Sequence, residues 1–203
     1  MKAFIIALRV TLVTLVLTGI LYPLGMTALA QVLFPTAANG SLAHDESGKV
    51  VGSRLLGQTF TNPGYFQPRP SAAGNGYDPM ASGGSNFGPT SAKLQDRVKL
   101  EMVRLHKENP EASGNIPADL VTTSGSGLDP HISPAVARWQ IPRVARARGV
   151  SPARVGATVE ESISGRDFGF LGEPTVNVLE LNLALDRQFG RPTTGSSPTA
   201  TAP

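Results

Sequence analysis

Cysteine is missing from all 203 residues, so disulfides, thiolate metal sites and cysteine nucleophiles are excluded together. Histidine is scarce. His44, His106 and His131 are scattered, and none has a second histidine at the i+3 or i+4 spacing that helical metal pairs use. No metal site is expected. Charge is absent from Val10 to Ala43. Within that stretch, Val10 to Phe34 is long enough to cross a hydrocarbon core that needs about 20 helical residues. Lys2 and Arg9 precede it and the next basic residue is Lys49, so the positive-inside rule places the N-terminus in the cytoplasm and the rest of the chain outside. The short basic start, the breakers Pro23 and Gly25 and the pattern Ala28-Leu29-Ala30 also fit a cleavable signal peptide. Both readings export the remainder, and they differ in whether it stays tethered.

The formal net charge of +3 suggests a polyanion at first sight, but removing Lys2 and Arg9 from the 18 basic residues leaves 16 against 15 acidic ones. The exported part is nearly neutral, and nucleic acid is dropped as a partner. The chain beyond Phe34 has room for one domain with its own core.

Lys49 to Phe60 has short apolar pairs broken by Gly52, Ser53 and Gly57, which suits a small hairpin or a bulged strand. Asn62 to Thr90 is rich in glycine and proline without apolar periodicity and reads as a loop, too long to be mere connection. Tyr65, Phe66, Tyr77 and Phe87 argue that it is ordered. From Thr90 or Ser91 to Lys107 the spacing of Leu94, Val98, Met102 and Leu105 predicts an amphipathic helix. Ile116 to Ser124 fits a strand. Ser133 before Pro134 and Ser151 before Pro152 mark two helix starts. Pro142 should split the first of these into 134–140 and 143–148, with a stop at Gly149. Val176 to Arg187 mixes alternation with helical spacing; the cap at Asn177 favours a helix. The tail after Pro192 has nothing to bury and is expected to be disordered. The resulting expectation is an α+β fold: a cytoplasmic stub 1–9, a transmembrane helix 10–34, one small extracytoplasmic domain 35–192 and a tail 193–203.

Three motifs invite chemistry. Ser82-Gly83-Gly84-Ser85, feeding a helix start, resembles the way backbone amides are offered to phosphates, but no GK[ST] follows and a plain turn explains the glycines. Asp129 and His131 stand close to Ser124, Ser126 and Ser133. A catalytic triad converges from separate parts of a chain, and the G-x-S-x-G elbow is missing. A rigid turn with Asp129 capping backbone amides is the simpler reading, and a partner contact the alternative. Between Pro134 and Val159 there are five arginines and no acid, together with the only tryptophan. Arg138, Trp139, Arg143 and Arg146 have the composition of an interface, or of a solvated helix face paired with Glu160, Glu161 or Glu173.

Four runs carry a family resemblance: Gly57-Gln58-Thr59-Phe60 with Tyr65 to Ser71 (YFQPRPS); Ser82 to Thr90 (SGGSNFGPT); Asp119 to Ser133 (DLVTTSGSGLDPHIS); and Val176 to Asp186 (VNVLELNLALD). Together with the apolar N-terminus they resemble the C subunit of the bacterial Kdp potassium-transporting ATPase. The resemblance implies an uncleaved single-span subunit of the inner membrane with a periplasmic domain. It implies three partners: a channel-like subunit that binds the transported potassium, a P-type ATPase subunit that hydrolyses ATP, and a small single-helix subunit. This chain would be non-catalytic, and it has no DKTG phosphorylation motif. The family is described as a catalytic chaperone that raises the ATP affinity of the ATPase subunit through a transient ternary complex, a role tied to the likeness of the turn here at Ser82 to Ser85 to the signature of ABC transporters. A nucleotide in the cytoplasm does not meet a turn outside it, so a brace on the external face of the channel-like subunit is the physical alternative. An exported cell-wall hydrolase and a periplasmic binding module are the other classes kept open.

Overall fold

The computed structural model describes residues 1–192; the expectation for the tail 193–203 lies outside them. The chain divides into two compact units, Met1–Leu42 and the part from Ala43 onward. The first is a helix: α1 (Lys2–Val16) runs through a π turn at Leu17–Leu21 into α2 (Tyr22–Leu33). The helix of 32 residues, Lys2–Leu33, contains an 18-residue window of mean hydropathy 2.4 with none of its residues buried. At about 1.5 Å per residue it is roughly 48 Å long, ample for a hydrocarbon core of about 30 Å. Pro23 lacks an N–H and its ring crowds the carbonyl of Gly19; the widened turn lies where that clash falls. Inside the span the Thr14 and Thr18 hydroxyls donate back to the Val10 and Thr14 carbonyls at 2.8 and 2.7 Å, so neither is left bare in an apolar medium. A short helix, α3 (Pro35–Ala38), follows.

The second unit begins with β1 (Leu42–His44) and β2 (Val50–Ser53), which pair in a two-stranded sheet. The partner of β2 therefore precedes Lys49 rather than following within Lys49 to Phe60. Asp45 makes the turn: its Oδ1 accepts from the Ser47 hydroxyl at 2.6 Å and from the Ser47 and Lys49 amides at 3.0 Å each, and its Oδ2 meets Arg191 at 2.7 Å. The Ser47 hydroxyl first, then those amides and Arg191, hold its pKa down at about 2 from the ordinary 3.8. A depressed carboxylate stabilises the fold above the ordinary value and ceases to do so as pH falls through the folded one. The Asp45 carboxylate is therefore expected to titrate near pH 2 by NMR. Asp45→Asn is expected to flatten the loss of stability between about pH 4 and pH 2.

The core is built around a three-stranded antiparallel sheet of β3 (His131–Ile132), β4 (Ile163–Ser164) and β5 (Thr175–Asn177), in the order β3-β5-β4. Ile132 and Ile163 both pair with Val176. α4 (Ala92–Glu108) follows the long loop, and α5 (Pro134–Arg148), α6 (Pro152–Glu161) and α7 (Val178–Phe189) pack around the sheet. Phe66, Leu105, Ile132, Val144, Val159, Val176, Leu181 and Leu185 are the heart of the buried cluster.

Helix ends follow the sequence. Ser133 and Ser151 are the N-caps of α5 and α6, each with proline next, and Ser133 Oγ accepts from the Val136 amide at 3.3 Å. Gly149 ends α5 at φ 65°, the left-handed conformation that favours glycine. Asn177 finishes β5 and caps α7, accepting from the Glu180 amide at 3.1 Å. The helix expected over Val176 to Arg187 is thus present from Val178.

Two expectations need correction. Pro142 does not split α5, which continues from Pro134 to Arg148. One missing backbone bond is outweighed by a face that buries Val136, Ala137, Trp139, Gln140, Arg143, Val144 and Ala145. Ile116 to Ser124 is no strand: Ala118–Leu120 form a 3-10 turn after Pro117, closed by the Thr122 hydroxyl on the Ala118 carbonyl at 2.9 Å. Leu120 and Val121 are buried side by side, which alternation cannot supply. In α4 only Leu105 of the expected apolar face is buried; Leu100 and Val103 are 72% and 70% exposed.

Candidate functional site

The loop from Asn62 to Thr90 has no strand and only a 3-10 turn at Pro79–Ala81, yet it is held on both sides. Its backbone polar groups must find partners where they are buried, and α5 and α7 supply them. Gln140 donates to the Gln67 carbonyl and accepts from its amide, both at 2.9 Å. Asn182 does the same for Phe66, accepting at 2.8 Å and donating at 3.0 Å. Each side-chain amide stands where a neighbouring strand would be.

Arginine continues the pattern. Arg143 is 3% exposed and donates to the Pro63 carbonyl at 2.7 Å, the Tyr65 carbonyl at 3.0 Å and Gln140 Oε1 at 2.6 Å. Burial pulls its pKa down to about 10, so it remains a cation at neutral pH. Arg148 donates to the Gly64 and Gly190 carbonyls at 2.6 and 2.7 Å, pairs with Asp186 at 2.8 Å and lies over the Tyr65 ring at 5.1 Å. The Tyr65 hydroxyl donates to the other Asp186 oxygen at 2.9 Å. Burial, then the Asp186 carboxylate, push this phenol up to about 12, keeping it a donor at neutral pH.

A second layer joins the two glycine-rich turns. Gly83 N–H and the Ser82 hydroxyl both donate to the Ser126 carbonyl, at 2.9 and 3.0 Å, and Ser85 and Thr123 share a hydroxyl contact at 3.0 Å. A Cβ on Gly84 would stand 3.0 Å from the Gly125 carbonyl oxygen, and one on Gly127 2.7 Å from both Ala73 N and Gly83 O. Gly127 is required by backbone against backbone, and at Gly84 a Cβ would crowd a backbone oxygen. Ser71 ties the layers together, donating to the Gly127 carbonyl at 2.6 Å and accepting from the Tyr77 amide at 2.8 Å.

The sequence-derived candidates fall into two groups. Asp129 Oδ1 accepts from the His131 amide at 3.0 Å and faces His131 Nδ1 at 3.5 Å, while its Oδ2 lies 3.5 Å from Arg69. This is the capped, rigid turn that the DPH run suggests. Ser124 and Ser126 accept from the Gly127 and Leu128 amides at 2.9 and 3.1 Å, so both oxygens serve the turn rather than the imidazole. Arg138 is half exposed and bidentate on Glu160 at 2.7 and 2.8 Å, and Arg146 pairs with Glu111 at 2.6 Å. Trp139 is 7% exposed and its carbonyl accepts from Asn109 at 2.6 Å. Arg143 and Trp139 are thus interior, and Arg138, Arg146, Asp129 and His131 reach solvent. Gln140, Asn182 and Asp186 were missed from the sequence. The signal was a long loop with no pairing of its own beside helices carrying amides and arginines on their inner faces.

Among the described residues, no group of three or more His, Asp or Glu side chains is placed to hold a metal. Among the described residues one apolar helix is long enough to span a membrane, and it precedes a small domain whose polar side chains fasten its own loops, the build of a membrane-tethered domain.

Comparison makes the class specific. The sequence matches the family described as KdpC, the c chain of K+-transporting ATPase, over residues 4–187, and the chain belongs to that family. The potassium-transporting ATPase KdpC subunit of Myxococcus xanthus is 64% identical over 189 residues, 93% of this chain and 90% of that one. The KdpC subunit of Koribacter versatilis is 53% identical over 193 residues, 95% and 98% of the two chains. That of Rhodospirillum rubrum is 57% identical over 173 residues, 85% and 89%. The hydrolase and free binding-module alternatives find no support.

Proposed function

We propose that the chain is a non-catalytic subunit of a high-affinity, ATP-driven potassium uptake complex and braces that complex from outside the cytoplasm. Family membership carries this reading. Lys2 and Arg9 lie at one end of the span, with no further basic residue until Lys49, which supports an N-terminus inside and the domain 35–192 outside; the family, whose match begins at residue 4, supports an uncleaved anchor. The partners are a channel-like potassium-binding subunit, a P-type ATPase subunit and a small single-helix subunit. Potassium binds in the channel-like subunit and ATP in the ATPase subunit.

The turn Ser82 to Ser85 is a structural element in this reading. Its Gly83 amide is already bonded to Ser126, and α4 begins only at Ala92. An effect on ATP affinity then passes through conformational bias of the assembled complex. Asp129, His131, Arg138 and Arg146 form the contact surface, and Arg143 and Trp139 hold it from beneath.

The test is mass spectrometry of the C-terminally tagged chain, affinity-purified in mild detergent from potassium-starved cells, beside an Arg146→Glu variant. A full-length mass with a P-type ATPase and a channel-like potassium protein as companions is expected. Arg146→Glu is expected to lower both recovery of the companions and the potassium-dependent ATPase rate severalfold. A shortened chain purifying alone overturns the reading, and unchanged recovery and rate in Arg146→Glu remove that residue from the contact surface.

A further inference from the structure

Ten consecutive residues, Ser164 to Glu173, are all exposed. They join β4 to β5 as a hairpin that projects from the three-stranded sheet. Its shape is held internally: Asp167 and Leu171 exchange both backbone hydrogen bonds at 2.9 Å, and Arg166 grips the Glu173 carboxylate at 2.7 and 2.9 Å across the neck. Gly169 and Gly172 take φ of 83° and 74°, and Phe168 itself sits at φ 53°, where a bulky side chain is rarely found. At the tip Phe168 is 88% exposed, Phe170 70% and Leu171 49%.

Apolar side chains on a loose loop fold back on the nearest core. These are held away from it by a stapled neck, and such rigid, exposed aromatics are the composition of an anchor that fills a pocket. The charge at the tip narrows the choice of pocket. Arg166 and Glu173 neutralise each other, which leaves Asp167, whose carboxylate has no side-chain partner among the described residues. An anionic bilayer surface repels an unpaired acid, whereas a basic group on a protein rim attracts it.

We propose that Phe168, Phe170 and Leu171 form a plug that seats in an apolar socket, with a Lys or Arg at its rim, on the extracytoplasmic face of another subunit of the same transport complex. The plug rests on the accessory-subunit reading and gives it a specific point of attachment. Binding a preformed hairpin costs little ordering entropy, so three side chains suffice to make a strong local contact.

The test uses the full-length tagged chain in potassium-starved cells, with p-benzoylphenylalanine in place of Phe168 and, separately, in place of Met80, which is 93% exposed elsewhere. After irradiation, purification and mass spectrometry, position 168 is expected to give adducts with a subunit of the complex, mapped to an apolar peptide. The yield should be at least tenfold that from position 80. Phe168→Ser with Phe170→Ser is expected to lower subunit recovery at least tenfold while leaving the melting temperature of the chain unchanged. Companions that co-purify while position 168 reacts only with lipid, with a protein outside the complex or with nothing overturn the plug and leave the accessory-subunit reading standing. If the unmodified chain purifies without companions, both fall.

Discussion

Arg143→Met is expected to lower the melting temperature of the full-length chain in detergent by about 10 °C, for a loss of about 3 to 5 kcal/mol. The substitution keeps much of the volume and removes the only donor to the Pro63 and Tyr65 carbonyls among the described hydrogen bonds, and one of two to Gln140 Oε1. A fully buried acceptor left without a donor costs about 1 to 3 kcal/mol; here two part-buried carbonyls lose their donor together, and the buried Gln140 loses a third bond. Arg143→Lys is expected to recover only part of the loss, because an ammonium cannot span two carbonyls as a planar guanidinium does. Arg143→Glu should fare worst, placing a carboxylate among carbonyl oxygens. Circular dichroism melting and subunit recovery, measured on the same preparations, separate the possible roles. Full thermal stability with loss of partners would make Arg143 a docking residue and contradict the internal role assigned to it.

The second large effect is expected at the seam between the two glycine-rich turns. Gly127→Ala places a Cβ at 2.7 Å from two backbone atoms, on a residue whose φ of 69° already disfavours a side chain. Backbone cannot step aside as a flexible side chain can, so strain and overlap together cost about 3 kcal/mol or more. Gly125→Ala is the control, because its Cβ meets nothing within 4 Å and its φ lies outside the left-handed region. Hydrogen exchange should rise across Ser71 to Gly88 in the first variant and stay unchanged in the second. Equal protection in both would mean that the turns are not packed on one another.

These two sites also explain why the candidate site was only partly legible in the sequence. Asp129 and His131 form the turn expected of them because a proline between an acid and an amide two residues on is a local device, complete within three residues. The arginines of α5 are different. Their composition suits an interface or an ion-paired face, and both assignments occur: Arg138 pairs with Glu160 as a solvated helix face should, while Arg143 turns inward to bond a loop some 80 positions earlier. Nothing in a run of arginines says which of them faces a loop that has not yet been placed. Pro142 gives the same lesson, since its local penalty is real and the burial that outweighs it belongs to the assembled core.

Taken by itself, the sequence determined the membrane helix, the N-cap serines, the stop at Gly149, the absence of cysteine chemistry and, through motifs spread along most of the chain, the family. Each is a matter of composition or of interactions between residues a few positions apart, where hydrophobic length and backbone geometry leave few alternatives. Only the tertiary structure decided that Gln140, Arg143, Arg148 and Asn182 act as surrogate strands for the Pro63 to Gln67 segment, and that the glycines at 84 and 127 serve close backbone approach. It alone decided too that Phe168 and Phe170 stand in solvent. Burial and hydrogen-bond satisfaction are properties of distant segments brought together, and no local pattern records which donor a buried carbonyl will meet.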